Sequence, residues 1–316
     1  MFPDAVRLSF LGLELYAYGL YVALGCALAG LLLWWLSRGE EGLKNAAALS
    51  CLLSPVLGLA LARALYCLAD INFQQVASFS NALTLTTGGF AMFGALLGAV
   101  LGALIAAKVA RQPAVRWLDI LTPALFLFIA LARLGEGYTS LGISRPLITG
   151  VLDDTFLAYR DEYDAYLRTY YLEAVTALVL CLLTLRELRR SVLTQGSVAL
   201  TGALTFGITQ TLYESLRYDG HLRFSFVGLQ QVLAVVLFSL TLIYLAIRLL
   251  RQKRDRRLAI LSLILLPVIL GAVLGIEFMI DRSQISKWLS YLAYVLVLLL
   301  PLGLGLGMIK RSGYNG

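Results

Sequence analysis

Charge is scarce in this chain of 316 residues: Asp, Glu, Lys and Arg make up 14% of it, against a hydrophobic share of 59%. Soluble globular proteins carry about 25% charged and about 45–50% apolar residues. The imbalance excludes a water-soluble enzyme and a disordered chain. Cysteine is rare too. Cys26, Cys51, Cys67 and Cys181 all lie inside apolar runs, and no CxxC spacing occurs. That excludes a disulfide scaffold and marks the thiols as packing residues. A single histidine, His221, argues against a histidine-based metal centre, and neither a metal nor a cofactor is expected.

What the chain does have is a series of continuous apolar runs of roughly 20 residues, the length that crosses a bilayer as a helix. Only helices and closed barrels satisfy their backbone polar groups in lipid. These runs lack the alternating ten-residue pattern of barrel strands. The expected fold class is therefore an all-α polytopic membrane protein with about nine transmembrane helices. They run over 15–36, 46–68, 89–110, 118–139, 170–187, 198–217, 226–248, 258–280 and 287–309. The fifth is short, and the sixth is rich in Thr, Gly and Gln. The first run has no basic region or small-residue cleavage site before it, and reads as a retained helix.

The net charge of +7 is read as loops facing anionic lipid, not as a nucleic-acid surface. One set of loops holds Arg38 and Lys44, then Lys108, Arg111 and Arg116, then Arg186, Arg189 and Arg190, the dense run from Arg248 to Arg257, and finally Lys310 and Arg311. The alternate set holds half as many, and the segment 69–87 carries no Lys or Arg. The richer side is cytoplasmic. The N-terminus is then outside and the C-terminus inside. Residues 5–18 alternate apolar and polar around Gly12, and read as a short hairpin or extended arm on the outer surface. Residues 144–168, with Asp153, Asp154, Asp161, Glu162 and Asp164, read as a solvated acidic loop. Gly94, Gly98 and Gly102 form a small-residue face that lets helices approach closely.

Charged groups within spans are costly, so each marks a candidate site. Arg63 and Tyr66 lie at i, i+3 toward the outer end of span 2, and Arg133 and Glu136 at i, i+3 toward the outer end of span 4. Glu173 begins span 5. Gln210, Glu214 and Arg217 fall at i, i+4, i+7 in the outer half of span 6, and so on one stripe. Glu14, Tyr16 and Tyr18 sit where span 1 enters, and Gln230 and Gln231 where span 7 does. Ion pairing between helices accounts for such residues one at a time. Their convergence at one depth points to an outer-leaflet site for an anionic head group. Arginine binds phosphate bidentately and stays charged when desolvated, while nearby Glu side chains orient it.

At these same residues the sequence resembles the prolipoprotein diacylglyceryl transferase family. Ala62-Arg63-Ala64-Leu65-Tyr66 looks like that family's Gly-Arg-x-x-Tyr. Gly88 through Gly94 looks like its Gly-Gly-x-x-Phe-His-Gly, and Asp119 through Pro123 like its Asp-x-x-x-Pro. Ala132-Arg133-Leu134-Gly135 resembles the head of its Gly-Arg-x-Gly-Asn-Phe signature. Tyr171-Leu172-Glu173-Ala174 is similar to its Leu-Tyr-Glu-Ala, and Tyr213 through Arg217 to its x-Glu-Phe-x-Arg. Leu15 through Leu20 looks like its His-Trp-Tyr-Gly-Leu segment. The resemblance runs through roughly residues 5–250. It divides the chain into a transferase-like membrane core, 1–250, and an additional two-helix segment, 251–316.

That family moves the diacylglyceryl group of phosphatidylglycerol onto the thiol of a lipobox cysteine, outside the bacterial cytoplasmic membrane. The resemblance thus implies two partners, phosphatidylglycerol or another anionic phospholipid and a prolipoprotein lipobox peptide. Tyr18, Arg63, Arg133, Glu214 and Arg217 match the family's motifs. The family's histidine falls on Phe93, its signature asparagine on Glu136, an essential arginine on Gln210 and a tyrosine on Phe206. A lipobox thiol has a pKa of about 8.5 and needs a base or a cationic neighbour, and Phe93 accepts no proton. The expected roles are Arg133 on the lipid phosphate, Glu136 or Glu214 as base, Glu214 with Arg217 as an oriented pair, and Tyr18, Arg63, Tyr66 and Gln210 lining the lipid site. Two alternatives stay open. One is the same fold without this reaction, as a lipid- or lipoprotein-binding paralogue or a transferase of another head group. The other is a transporter or flippase, which needs a polar path across the midplane.

Overall fold

The computed structural model describes residues 7–10, 13–70, 82–83, 89–139, 141–146, 155–160, 162–190, 194–218, 222–224, 226–283 and 286–313. Nine long helices dominate them: α1 (Ala17–Leu36), α2 (Glu41–Ala69), α3 (Met92–Val109), α4 (Ala114–Gly135), α5 (Thr169–Arg190), α6 (Ser197–Leu216), α7 (Leu229–Arg251), α8 (Arg256–Arg282) and α9 (Lys287–Gly313). Seven of them are long and apolar enough to cross a membrane; α5 and α6 are the other two. Arg186, Arg189 and Arg190 charge the end of α5, and Thr, Gly and Gln dilute α6. The chain is a polytopic all-α membrane protein. Its outward faces carry exposed Leu31, Leu52, Val56, Leu97, Leu182, Ile264 and Leu296, side chains suited to lipid and not to water.

The chain divides into two compact units. The first comprises Met1–Leu182 and Asp219–Leu222, the second Leu183–Tyr218 and Arg223–Gly316. In the first, α2 packs along α3 and α1 along α4. Lipid supplies no hydrophobic drive between helices, so close van der Waals packing does this work. The small face of α3 is what permits it. A Cβ at Gly94 would strike the backbone at Leu61 and Ala62, one at Gly98 the backbone at Leu57 and Gly58, and one at Gly102 that of Leu53 and Ser54. Ser54 Oγ adds a bond to the Ala99 carbonyl at 2.9 Å. The expected close helix approach is present.

The expected hairpin is also present: β1 (Arg7–Phe10) pairs antiparallel with β2 (Leu13–Tyr16), with Arg7 opposite Tyr16. The segment read as an acidic loop is more ordered than the sequence suggests. There β3 (Ile143–Pro146), β4 (Ala158–Arg160) and β5 (Ala165–Arg168) form an antiparallel sheet in the order β3-β5-β4. Its strands are too short for a clear period-two signal. Asp153, Asp154 and Asp161 lie outside the described residues.

In the second unit, α6 through α9 share one core. Leu204, Phe238, Leu242, Leu245, Ile280, Tyr294 and Met308 are fully buried in it. Gly207 brings α6 against Ala234 and Phe238 of α7. Two short strands, β6 (Arg223–Phe224) and β7 (Val227–Gly228), pair just before α7.

Candidate functional site

Two buried polar clusters stand out, one in each unit. In the first unit, Arg133 sits in the last turn of α4, which ends in a 3-10 turn, Glu136–Tyr138. Its Nη1 donates to Glu136 Oε1 at 2.5 Å, and its Nε lies 2.8 Å from Glu173 Oε2 on α5. The three side chains are 3%, 8% and 2% exposed. A buried guanidinium held by two carboxylates is a costly arrangement that lone packing does not call for. The i, i+3 pairing with Glu136 was legible in the sequence. Glu173 is one of the polar groups expected in the outer half, but its pairing with Arg133 is not read from the sequence; its match to the family's Leu-Tyr-Glu-Ala is the signal that marks it.

The surroundings hold this group in place. The Glu136 carbonyl accepts from Thr139 N at 2.9 Å and Thr139 Oγ1 at 2.8 Å, which closes the turn. Gly142, at φ +74°, passes against the Glu136 carboxylate, where a Cβ would lie 2.9 Å from Oε2. Left-handed backbone and a close neighbour both call for glycine here. Thr169 Oγ1 fixes the Gly142 carbonyl at 2.8 Å. From α1, Tyr18 and Tyr21 pack on Gly135, where a Cβ would come within 3.2 Å of Tyr18 Cδ2. The structure thus brings Tyr18 to the turn that carries Arg133 and Glu136.

Arg63 is buried in α2 at 6% exposure. Its Nε donates to the Ala82 carbonyl and its Nη1 to the Gly89 carbonyl, both at 3.1 Å. The Tyr66 and Phe90 rings lie 5.7 and 5.9 Å from its guanidinium carbon. Carbonyls and ring faces both help to hold the cation. Gly89, at φ +80°, lies directly against the Tyr66 ring, which leaves no room for a side chain. Arg63 and Tyr66 therefore pin the segment leading into α3. Phe93, where the resemblance implies a histidine, is buried at the start of α3.

In the second unit, Gln210 Nε2 donates to Glu214 Oε1 at 2.9 Å, one turn apart on α6, with both residues buried. Where the family resemblance implies an arginine, a neutral amide holds the carboxylate. Glu214 Oε2 reaches Gly228, the residue that caps the N-terminus of α7, where a Cβ would sit 3.7 Å from it. A helix N-terminus favours a carboxylate there. Arg217, expected on the same stripe, ends α6: its N–H donates to the Tyr213 carbonyl at 2.9 Å, and at ψ 138° the chain leaves the helix after it. Its carbonyl accepts from Arg223 Nη1 at 2.9 Å. Arg223 also donates to the Phe226 carbonyl at 3.1 Å, and with β6 and β7 it shapes this turn.

Among the described residues no cluster of His, Cys, Asp and Glu has the make-up of a metal site. His221 lies outside the described residues.

One family model matches the chain. The model of the prolipoprotein diacylglyceryl transferase family matches residues 5–247, the stretch that holds every residue named above. No curated protein matches the chain.

Proposed function

The chain belongs to the prolipoprotein diacylglyceryl transferase family, and from that premise we propose that it is a divergent, phosphatidylglycerol-dependent diacylglyceryl transferase. It acts on the cysteine thiol of prolipoproteins at the outer leaflet of the bacterial cytoplasmic membrane. The N-terminus is then outside and the C-terminus inside, as the distribution of loop Lys and Arg suggests.

The observation that carries this reading is the buried Arg133 held between Glu136 and Glu173. In the reaction the lipobox sulfur forms a bond to the terminal glycerol carbon of the diacylglyceryl group. The bond from that carbon to the phosphate oxygen breaks, glycerol phosphate leaves, and the thiol proton passes to a base. Negative charge accumulates on the departing phosphate. A preorganised guanidinium lowers that barrier because its orientation is settled before the reaction begins. Arg133 takes this role, with its two carboxylates fixing the plane of the guanidinium. Glu136 is the base that receives the thiol proton. Arg63 supports the site by securing the segment before α3, and Tyr66 does so with it. Tyr18 borders the Arg133 turn. In the second unit, Gln210, Glu214 and Arg217 are the polar residues assigned to lipid binding.

Two residues favour a second reading, in which the fold binds a lipid or lipoprotein, or transfers another head group. Phe93 is buried where the family's histidine stands and accepts no proton. Gln210 supplies hydrogen bonds but no charge.

The test is transfer by purified protein in detergent, given phosphatidylglycerol and a lipobox peptide, with the peptide mass as readout and Arg133→Lys as control. A diacylglyceryl mass gain that the control lacks is the expected result. No gain from folded protein that still binds phosphatidylglycerol overturns the transfer reading in favour of the second.

A further inference from the structure

Helices α8 and α9 lie wholly beyond residue 247, where the family match ends. They nonetheless carry a buried polar group into the core of the second unit. Glu277 of α8 is 4% exposed, Gln231 of α7 is 2% exposed and Tyr294 of α9 is fully buried. Gln231 Nε2 donates to Glu277 Oε1, to Tyr294 Oη at 3.1 Å and toward the Thr211 carbonyl at 3.4 Å. One turn from Tyr294, Tyr291 Oη donates to the Ser215 carbonyl at 3.1 Å.

Both anchored carbonyls are on α6. Thr211 and Ser215 follow directly after Gln210 and Glu214, so α7 and α9 grip the helix at the two turns that present those side chains. The Ser215 carbonyl belongs to the last turn, whose carbonyls lack intrahelical partners; in lipid an unsatisfied carbonyl is costly. Gly228 closes the arrangement, with Glu214 Oε2 on one side and the Gln231 backbone on the other.

A buried carboxyl in α8 is not explained by stability. Well-packed apolar side chains in place of a buried polar pair are often neutral or stabilising, and lipid-embedded polar bonds add little. Its effect is directional: a carboxylate accepts only, so it fixes which end of the Gln231 amide is the nitrogen.

We propose that Glu277 is a positioning residue: acting from outside the family-matched segment, it orients Gln231 and thereby holds the part of α6 that carries Gln210 and Glu214. The two added helices are then a brace for a transferase site. The inference rests on the proposed function only in taking Gln210 and Glu214 as site residues.

The experiment uses the full chain in nanodiscs containing phosphatidylglycerol, with a lipobox peptide as acceptor. It compares Glu277→Leu, Glu277→Gln and the double variant Glu277→Leu/Gln231→Leu. Thermal stability and backbone hydrogen exchange over 210–217 are read on the same samples. Misplacement by about 1 Å costs up to about a hundredfold in rate. The expected result is a ten- to hundredfold fall in kcat for Glu277→Leu and for the double variant, with exchange over 210–217 faster. Glu277→Gln keeps an acceptor oxygen but adds an N–H₂ that can also face Gln231, and recovers only part of kcat. The double variant keeps its thermal midpoint, which separates positioning from folding. Wild-type kcat in a folded double variant overturns the proposal. If the wild type transfers nothing, the functional reading fails and the exchange decides alone: faster exchange in Glu277→Leu supports the brace, and unchanged exchange overturns it.

Discussion

The Nε of Arg133 lies 2.8 Å from Oε2 of Glu173, and the two side chains are 3% and 2% exposed. A helix boundary and a β-sheet separate them in the chain, so the pair exists only through tertiary packing of α4 and α5. Removing one partner strands the rest of a buried ionic group, which costs about 3–5 kcal/mol. Glu173→Ala is therefore expected to lower the unfolding free energy by about that amount, read from unfolding in mixed detergent micelles. Glu173→Gln keeps the volume and one acceptor oxygen, and is expected to recover most of the loss. Equal losses in both variants would show that the charge itself is what stabilises the cluster.

Arg133→Lys separates charge from shape. A lysine ammonium is a point charge that cannot present the planar fork that faces two carboxylates at once. The variant is expected to fold and to bind phosphatidylglycerol vesicles, while its transfer rate falls at least about a hundredfold, the scale of losing an oriented charge at a developing anion. A rate within tenfold of wild type would remove Arg133 from the chemistry.

Much of this architecture was legible in the sequence, and the reasons differ from place to place. The helices follow from uninterrupted apolar runs, and the hairpin from alternation around Gly12. Gly94, Gly98 and Gly102 signal the α2–α3 approach because only small residues permit it. Pairs within one helix, Arg133 with Glu136 and Gln210 with Glu214, follow from helical spacing. Partners supplied by a distant helix do not. Neither Glu173 on Arg133 nor Glu277 on Gln231 leaves a periodic trace, although Glu277 falls inside a long apolar run and that alone marks it. Helical spacing reaches as far as Arg217, whose N–H still donates to the Tyr213 carbonyl, and ends with it as the chain turns extended.

The glycine face of α3 gives a sharp contrast within one chain. At Gly98 an added Cβ would meet the Leu57 and Gly58 backbone, which cannot swing aside. At Gly275 of α8 nothing lies within 4 Å. Gly98→Ala is expected to destabilise by about 1–3 kcal/mol through overpacking. Gly275→Ala is expected to be neutral or to stabilise by up to about 1 kcal/mol through helix propensity. Thermal midpoints of the two variants in the same detergent check both signs, and a destabilised Gly275→Ala with an unchanged Gly98→Ala would contradict the packing.

Outside the spans, Arg116 at the start of α4 grips Glu40 through two bonds, Nη1 to Oε2 at 2.9 Å and Nη2 to Oε1 at 2.6 Å. The guanidinium beside Glu40 holds its carboxyl below the usual carboxylate range. A depressed folded-state pKa stabilises only where the unfolded carboxyl is ionised. The contribution is therefore complete above the ordinary glutamate value of about 4.3 and is lost as pH falls through the lower folded value. Both side chains are solvent-facing, at 37% and 50% exposure, so salt weakens the pair. The expected outcome is a small stability gap between wild type and Arg116→Gln at pH 7 that closes in acid and shrinks in high salt. Thermal midpoints across pH 3–7 test it: a gap that persists at pH 3 would assign the Arg116 contribution to packing of its aliphatic stem and not to the carboxylate.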